Sequence, residues 1–536
     1  MLPKFLTTPS KSITGAAVII SLATLLSRVV GIVRDRILAH YYGAGPVMDA
    51  YYAAFKIPDL IYNLLIIGAL TAGFIPTFTK LFYQENGKST AWRLASNVLN
   101  IIGVCISTLA IIGIVLSPWI AKIIAPGFPP QNQDLVITFT RILFLSPVFL
   151  GISMVMGGIL QSLKHFLLYS FAPVFYNIGI IIGATLLVPV LGLPGLAWGV
   201  VLGAFLHCFI QTLGAWQAGF NWRPQFNLTD ANTRLIGRLM VPRTLGLAVT
   251  QFNSVIITVL ASLLPIGSVA VYNYANNLQG VATGLIGIPF ALAVFPVLSA
   301  AAAEGNQAEF SKNISLTARQ ILFLIIPASI IVLLLRAQIV RIILGTGSFD
   351  WSATITTANA LAFFAFSLFA QSLIPLIVRG FYALTDTRTP FALGIISELI
   401  SIIFALLLMR PYGVAGLALA TSVGAIINVT LLTIFLRAKM IPIEGEKITH
   451  LLFKLSLAAI PMALIIQFLK APLASLVDMD RFWGILIHGT VSGTVGLLLY
   501  GLICYILKVD EMRLLAGSLK KRWLKLRPLK EGMTGL

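Results

Sequence analysis

The feature that most constrains this chain is a series of apolar segments, each close to the length of a membrane-spanning helix, which continues from about residue 13 to residue 507. A helix needs ~20 residues to cross the ~30 Å hydrocarbon core of a bilayer. Of the 536 residues, 58% are hydrophobic and only 10% are charged, whereas an ordinary soluble domain has about 25% charged residues. The pattern excludes a water-soluble globule and predicts an all-α polytopic membrane protein.

We expect about fourteen transmembrane helices. The predicted spans are 13–40, 47–84, 91–117, 134–160, 165–190, 194–219, 233–264, 268–303, 314–344, 354–384, 389–409, 412–437, 448–470 and 482–507. The first span is far longer than the ~7–15-residue apolar core of a cleavable signal peptide, so we expect it to be retained.

The net charge of +19 does not indicate a nucleic-acid partner, because the basic residues fall mainly in alternate loops and in the C-terminal tail. The opposite loops and span ends hold only Lys122, Arg336, Arg341, Arg410, Lys470 and Arg481, with Arg141 just inside a span. By the positive-inside rule, this asymmetry predicts that both termini are cytoplasmic. We interpret the basic segment 520–530 as retention charge; an amphipathic segment on anionic lipid and a signalling element are the alternatives.

Cysteine and histidine give no indication of a metal site, a disulfide or covalent catalysis. Cys105, Cys208 and Cys504 lie in separate apolar runs without CxxC spacing, and the five histidines are scattered. No sequence pattern indicates zinc ligation or a nucleophile–base pair. We therefore predict no enzyme activity, no catalytic residue, no metal and no cofactor.

An internal repeat is indicated by segments that match at a nearly constant offset. The segment 192–206 aligns with 413–427 at an offset of 221, and Pro173 and Pro76 align with Pro390 and Pro296 at offsets of 217 and 220. Chance matches of Gly and Pro, which are common in membrane helices, are the alternative. An offset of six spans predicts two lobes in the same orientation. We expect an N-terminal lobe (1–225), a C-terminal lobe (226–440), two additional helices (441–507) and a basic cytoplasmic tail (508–536).

Charged residues inside spans are costly, at least ~2.5–3.5 kcal/mol each at the centre, and usually face a cavity or a partner. The first span contains Arg28, Arg34, Asp35 and Arg36. On an ideal helix Arg28 and Asp35 share a face, whereas Arg34 points about 120° away. We expect Arg28 to face a cavity or a partner; snorkelling to the outer interface is the alternative for Arg34 and Arg36, and local pairing is the alternative for Asp35.

Other intramembrane charges have more than one interpretation. Asp49 is predicted at the outer mouth of the second span, and Lys56 and Asp59 are favoured as a structural i,i+3 ion pair. Glu398 is the only acidic residue in its span. A carboxyl group in that position can couple transport to a cation or a proton, or can be a hydrogen-bonded structural residue.

Five motifs are similar to those of the MurJ/MviN family, a branch of the multidrug/oligosaccharidyl-lipid/polysaccharide exporter superfamily. They are SRVVGIVRDRILAHYYGAG (27–45), DAYYAAFKIPDL (49–60), GALTAGFIPTF (68–78), RGFYALTDTRTP (379–390) and MRPYGVAGLALATS (409–422). The family pattern runs in order from the first span to about the twelfth.

The resemblance implies a bacterial inner-membrane flippase with fourteen helices. Its substrate would be the undecaprenyl-pyrophosphate-linked peptidoglycan precursor, lipid II, moved to the outer leaflet by alternating access. Arg28 and Arg34 would bind the pyrophosphate, which suits bidentate guanidinium contacts, while Asp35 and Asp49 would gate or orient. Glu398 would be the candidate coupling residue for Na⁺ or H⁺. Membrane lipids are expected partners, and other cell-wall synthesis proteins are candidate partners.

The chain departs from the family pattern where the family carries charges. Tyr62, Asn63 and Ile67 replace an arginine pair and an acidic residue, and Asn276-Asn277 replaces an Asp-Arg pair. The positions compared with a sodium site of some members hold Ile257, Ser401 and Ala405. These departures predict a cavity less cationic than the family pattern.

Two alternative functions predict different outcomes. Another exporter of the superfamily, such as an O-antigen flippase or a cation-coupled drug exporter, would move a different substrate, although a drug exporter would favour an acidic cavity. A non-transporting membrane scaffold for cell-wall enzymes predicts that removal of the Arg28 charge is silent.

Overall fold

The computed structural model describes residues 13–64, 73–439 and 444–513, and its described elements are helices throughout. Ile67 and the basic segment 520–530 lie outside the described residues. The α-helices in chain order are α1 (Ile13–Tyr42), α2 (Pro46–Tyr62), α3 (Ile75–Phe82), α4 (Lys88–Ile124), α5 (Pro130–Leu143), α6 (Leu145–Ser162), α7 (Phe166–Ile182), α8 (Val188–Leu191), α9 (Pro194–Gln217), α10 (Ala231–Ser262), α11 (Ser268–Leu285), α12 (Gly287–Ala303), α13 (Gln307–Leu334), α14 (Arg336–Ile343), α15 (Trp351–Ala365), α16 (Leu368–Ala383), α17 (Arg388–Ala438), α18 (Gly445–Leu476) and α19 (Phe482–Ile506).

The helices agree with the predicted membrane protein of about fourteen spans. Among the described residues, nine helices are long and apolar enough to cross a bilayer, or ten if the pair α15 and α16, bent by 47°, is one span. The 51-residue α17 supplies two predicted spans, because its backbone is non-helical at Gly413. The remaining predicted spans are 13–40, which carries the charged cluster, 47–84, which is only partly described, and 233–264.

Gly192 and Gly413, which the sequence alignment pairs, have the same unusual backbone. Their φ/ψ angles are 68°/−162° and 57°/−135°, a region open almost only to glycine. Three residues later the match continues, since a Cβ at Gly195 would lie 2.6 Å from the backbone of Leu187 and one at Gly416 would lie 2.1 Å from that of Leu408. The shared geometry supports a duplication over chance glycine matches.

Contacts divide the chain into two compact units. One comprises Met1–Ala275, Ile343–Ala360 and Gly394–Thr421, and the other comprises Asn276–Ile342, Leu361–Leu393 and Ser422–Leu536. The boundaries of these units are defined by which segments pack together. The predicted domain boundaries at 225 and 440 are defined by the internal repeat. The repeat-based domains therefore stay a prediction.

Each unit has its own apolar core. In the first unit, Phe74 and Phe78 pack with α4 and α6. In the second unit, α12, α13 and α16 pack around residues such as Phe310 and Phe381.

The last two helices, α18 and α19, pack against α13 within the second unit, where the Tyr500 hydroxyl donates to the Phe323 carbonyl at 3.1 Å. Beyond α19, Glu511 forms a 3.2 Å ion pair with Arg319 of α13. The beginning of the C-terminal tail is thus attached to the second unit.

The loop between α16 and α17 carries one of the family-like motifs and is fixed by Asp386. Its carboxylate accepts hydrogen bonds from the backbone N–H groups of Arg388 and Thr389 and forms a 2.7 Å ion pair with Lys439. Burial alone would raise the pKa of Asp386, but the bonds from Lys439 and Thr389 outweigh it and lower the pKa to about 2. The carboxylate therefore stays charged at neutral pH.

If the two glycine turns are equivalent, Gly192→Ala and Gly413→Ala should destabilise the protein by similar amounts. Neither Cβ would meet an atom closer than 3.8 Å, so the cost is backbone strain, about 1–3 kcal/mol. Thermal unfolding in detergent measures both, with Gly280→Ala as a control, because Gly280 lies within α11 and has open space around it. A loss at only one of the two glycines would contradict the equivalence.

Candidate functional site

Arg34 lies inside the first unit and is held in a defined orientation by two side chains. Its Nε and Nη2 donate to Asp35 Oδ1 at 2.9 and 2.7 Å, and its Nη1 donates to Asn177 Oδ1 at 2.9 Å. A guanidinium has five N–H donors. Two of those of Arg34 therefore make no hydrogen bond to another described residue. A partly buried guanidinium with two unused donors is suited to an anion such as a phosphate.

Asn177 is the residue that fixes this arrangement between α1 and α7. Its amide nitrogen donates to the Pro173 carbonyl at 3.0 Å and to the Ser27 carbonyl at 3.4 Å. The carbonyl oxygen of the same side chain is then directed at Arg34. A side-chain amide in a helix can bond the carbonyl four residues earlier in addition to the backbone N–H that uses the same acceptor.

Within the first span, Asp35 forms an ion pair with its sequence neighbour Arg34, although ideal-helix spacing directs the two residues about 100° apart. The long, flexible arginine stem allows the guanidinium to fold back along the helix. Arg28 is partly buried one residue after Ser27, whose carbonyl receives the Asn177 bond. Arg28 and Arg34 are thus both next to the contact with α7.

Asp49, predicted as a gating residue, caps a distant helix. It is 1% exposed, and its carboxylate accepts from the backbone N–H of Gly267 at 2.6 Å and of Ala270 at 2.8 Å. These N–H groups belong to the beginning of α11, where first-turn donors have no intrahelical partner. The helix dipole further favours an anion there. Asp49 thus links the beginning of α2 to the beginning of α11.

Two later segments of the same unit contact the end of α1 and the turn 43–45 that joins α1 to α2. We call these contacts the clasp. The Tyr274 hydroxyl donates to the Gly43 carbonyl at 3.2 Å, and the Ser348 N–H donates to the His40 carbonyl at 2.8 Å. Gly267 has φ +94°, and a Cβ on it would lie 2.3 Å from the Ala44 carbonyl oxygen. With the Asp49 bonds, the clasp holds this end of the first span closely packed.

The predicted Lys56–Asp59 ion pair is wrong. Among the described residues no ion pair joins them; Lys56 Nζ donates to Ser254 Oγ at 3.3 Å and to Asn273 Oδ1 at 3.1 Å. An i,i+3 spacing permits a local pair, but partners on α10 and α11 compete for the ammonium. The Asp59 side chain is exposed instead.

The positions that lack the family's charges hold polar groups with local partners. Asn63 donates to Gln251 at 3.3 Å within the first unit. In the second unit, Asn276 accepts from Gln279 at 2.9 Å, and both Asn276 and Asn277 are exposed. At Asn63, Asn276 and Asn277 the departures therefore remove charge while keeping the positions polar.

Glu398 of α17 is partly buried and accepts a hydrogen bond from the side-chain amide of Asn253 on α10. The Asn253 Oδ1 is buried and has no hydrogen-bond partner among the described residues. Tyr272 and Thr421, whose hydroxyls lie 3.0 Å apart, are nearby. The carboxylate and amide oxygens are the donors that hard cations prefer.

Of the positions considered from sequence, Ile257 lies one helical turn from Asn253, and Ser401 and Ala405 lie one and two turns from Glu398. Ile257 and Ala405 are buried, and Ser401 donates to the Ala420 carbonyl. In the described residues, no group of three or more His, Cys, Asp or Glu side chains could hold a metal ion. A cation near Glu398 would thus be bound through a single carboxylate together with neutral oxygens.

Sequence reasoning identified Arg34, Asp35, Asp49 and Glu398 but missed Asn177 and Asn253. Both are amides inside apolar helices, and a polar side chain in a span usually has a structural or functional partner. That signal could have identified them.

The Asp49 bonds make the clasp testable. Asp49→Asn removes the charge and places an NH₂ group against backbone donors, and loss of a charged hydrogen bond costs about 1.5–3 kcal/mol. We expect Ala44→Cys, in a background lacking the three native cysteines, to react faster with a membrane-impermeant maleimide when Asp49→Asn is added.

Asp350→Asn is the matched control for this substitution. Asp350 also caps a helix, accepting from the Ala353 N–H at 2.7 Å, but its contact is local. Equal labelling with and without Asp49→Asn would show that these bonds do not hold the clasp closed.

Comparison with known proteins places these features in a family. The sequence profile described as "Lipid II flippase MurJ" matches residues 38–485. A Burkholderia cenocepacia protein named lipid II flippase MurJ is 31% identical over 430 residues, which is 78% of this chain and 82% of that protein. A Haemophilus influenzae protein, named probable lipid II flippase MurJ, is 30% identical over 506 residues, 89% of this chain and 98% of that protein.

Solved structures agree on the fold. A structure described as lipid II flippase MurJ in an inward closed conformation covers 92% of this chain and 99% of its own, with a TM-score of 0.77 and 24% identity. An inward-facing multidrug resistance MATE transporter of the MOP superfamily covers 80% of this chain and 99% of its own, with a TM-score of 0.64 and 17% identity. With a profile match along most of the chain and relatives aligned over most of their length, this multi-pass membrane protein belongs to the MurJ family.

Proposed function

We propose that this chain is a lipid II flippase that moves undecaprenyl-pyrophosphate-linked peptidoglycan precursor from the inner to the outer leaflet of the bacterial cytoplasmic membrane. The observation that carries the proposal is Arg34, which is held by Asp35 and Asn177 and has two N–H donors that bond to no other residue in the described part of the chain. Family membership supplies the substrate class. The reaction breaks no covalent bond, so binding, orientation and a change of access suffice.

In this mechanism the guanidinium of Arg34 binds the pyrophosphate together with Arg28. Asp35 and Asn177 orient Arg34 before the substrate arrives, which reduces the entropy cost of binding. The prenyl tail remains in the surrounding lipid, because its exposure to water would be costly.

The clasp provides the change of access. The clasp and the backbone bonds to Asp49 together stabilise the state in which this end is closed, and release of the headgroup requires them to break. A substrate shifts such an equilibrium only by as much as it prefers one state. The charge asymmetry of the loops supports cytoplasmic termini, which puts the clasp at the outer face. Cell-wall synthesis proteins would then find exported precursor at that face.

Growth of a flippase-depleted bacterium tests the proposal. The unaltered chain should restore growth and outer-leaflet lipid II, whereas Arg28→Ala and Arg34→Ala should lower the transport rate by about ten- to a hundredfold, the effect of losing one charged hydrogen bond. Arg34→Lys should be intermediate, because an ammonium cannot reproduce the bidentate geometry. Arg93→Ala, at an exposed cation, is the matched control.

The alternatives give different results in this assay. An O-antigen flippase or a drug exporter would leave outer-leaflet lipid II unrestored. A non-transporting scaffold would leave outer-leaflet lipid II unrestored, and removal of the Arg28 charge would make no difference to the result.

Glu398 is the proposed coupling residue for Na⁺ or H⁺. The contact with Asn253 and the unpartnered Asn253 oxygen support it. We expect Glu398→Gln to lose the response of transport to the coupling gradient while substrate binding persists. Transport by proteoliposomes under imposed sodium or pH gradients measures this, and Asn253→Ala should weaken a sodium response more than a proton response. An unchanged response to both gradients in Glu398→Gln would remove the residue from coupling.

A further inference from the structure

A groove on the first unit lies away from Arg34 and the clasp. Its volume is about 480 Å³, and it lies between α4, Ile152 of α6 and the linker that joins α9 to α10. Its lining is mostly apolar, with two amide side chains, and consists of Leu99, Asn100, Gly103, Val104, Ile152, Trp222, Pro224, Gln225 and Phe226. No role described above uses this groove.

The linker is fixed against α4 by hydrogen bonds and so forms a lasting wall of the groove. The Asn100 amide donates to the carbonyls of Arg223 and Gln225 at 2.9 and 2.8 Å, and its oxygen accepts from Trp222 Nε1 at 2.8 Å. The Asn97 side chain accepts a hydrogen bond from the Asn227 N–H at 2.6 Å and donates one to the Asn227 carbonyl at 2.8 Å. Since the indole N–H is satisfied inside the protein, the half-exposed Trp222 ring presents an apolar surface.

The groove opens onto the lipid-facing side of α4. Val104, Ile111, Val115 and Trp119 recur at helical spacing on one face and are 54–69% exposed. This face belongs to an apolar run, residues 101–121, that is long enough to cross the hydrocarbon core. Asn100 immediately precedes this run, so the groove lies where the hydrocarbon meets the interface.

Charge around the groove favours an anionic head group. Arg223 is exposed, and within the described part of the chain its side chain has no hydrogen-bond or ion-pair partner. No acidic residue occurs in 219–229, and the carboxylate of Asp230 is engaged by Thr233. Trp and Arg together are typical of segments at a membrane interface.

We propose that this groove binds an anionic phospholipid, with one acyl chain along Gly103 and Val104 and the phosphate at Arg223. The loop charges assign this side of the membrane to the cytoplasm, where anionic lipids attract basic side chains. The lipid would hold the linker against α4 and is distinct from the transported substrate, so the inference does not depend on the proposed function.

Tryptophan quenching in vesicles tests the proposal. The full chain is reconstituted in phosphatidylcholine containing a minor fraction of phosphatidylglycerol, with bromine on the acyl chains of one lipid or the other. The Trp222 signal is the difference between the chain and Trp222→Phe. We expect brominated phosphatidylglycerol to quench Trp222 more than its share of the lipid predicts.

Two variants separate the parts of the site. Gly103→Leu fills the groove without strain, because a Cβ there meets no atom within 4 Å, and should abolish the excess quenching. Arg223→Gln should reduce the preference for phosphatidylglycerol about fivefold, because one basic residue near an anionic membrane surface contributes about 1 kcal/mol of binding free energy. Gly237→Leu, at another glycine with open space, is the matched control and should change neither result.

Several outcomes would overturn the proposal. Equal quenching by the two brominated lipids, or excess quenching that survives Gly103→Leu, would show that Trp222 senses only bulk lipid. Displacement of the quenching lipid by undecaprenyl phosphate but not by unlabelled phosphatidylglycerol would assign the groove to a prenyl chain instead. Should Gly103→Leu lower the unfolding temperature, Val104→Phe fills the same groove from an exposed position.

Discussion

Hydrocarbon supplies no hydrogen-bond partner, so every polar group within a span must be satisfied by the protein or by what the protein binds. Three features follow from this constraint. The guanidinium of Arg34 is oriented by Asp35 and Asn177, the carboxylate of Asp49 by backbone N–H groups, and the carboxylate of Glu398 by Asn253. In each case one helix supplies the charge and another supplies the neutral partner. The charges therefore also determine which helices pack together.

The repeat explains why the helix breaks occur where they do. The matched turns at Gly192 and Gly413 adopt backbone angles that few other residues tolerate, and the glycine three residues later allows close helix approach in both copies. The shared backbone geometry supports a duplication of this short segment. The charges do not follow the repeat, since the Arg34 cluster belongs to the first span alone.

The sequence predicted the helical membrane fold well, because hydropathy is a property of single segments. The roles assigned to the repeat and to the charged residues stay predictions. The sequence predicted the partners of the charged residues poorly. Lys56 bonds to Ser254 and Asn273 instead of the nearby Asp59, and Asp49 caps α11 across 218 residues. Such pairings depend on how the helices pack against one another. The spacing of residues along one helix carries no information about that packing. Neutral amides such as Asn177 were also missed, because the prediction selected intramembrane residues by their charge.

The bonds that Asp49 makes have a consequence for how the clasp can vary. Both donors are backbone N–H groups, at Gly267 and Ala270, and every residue except proline offers the same donor. Substitutions on the α11 side can therefore alter shape but cannot remove this interaction by changing a side chain's chemistry. On the side-chain level, the contribution of Asp49 to these contacts is therefore encoded in one position, and an exchange at Asp49 removes it without compensation from its partner.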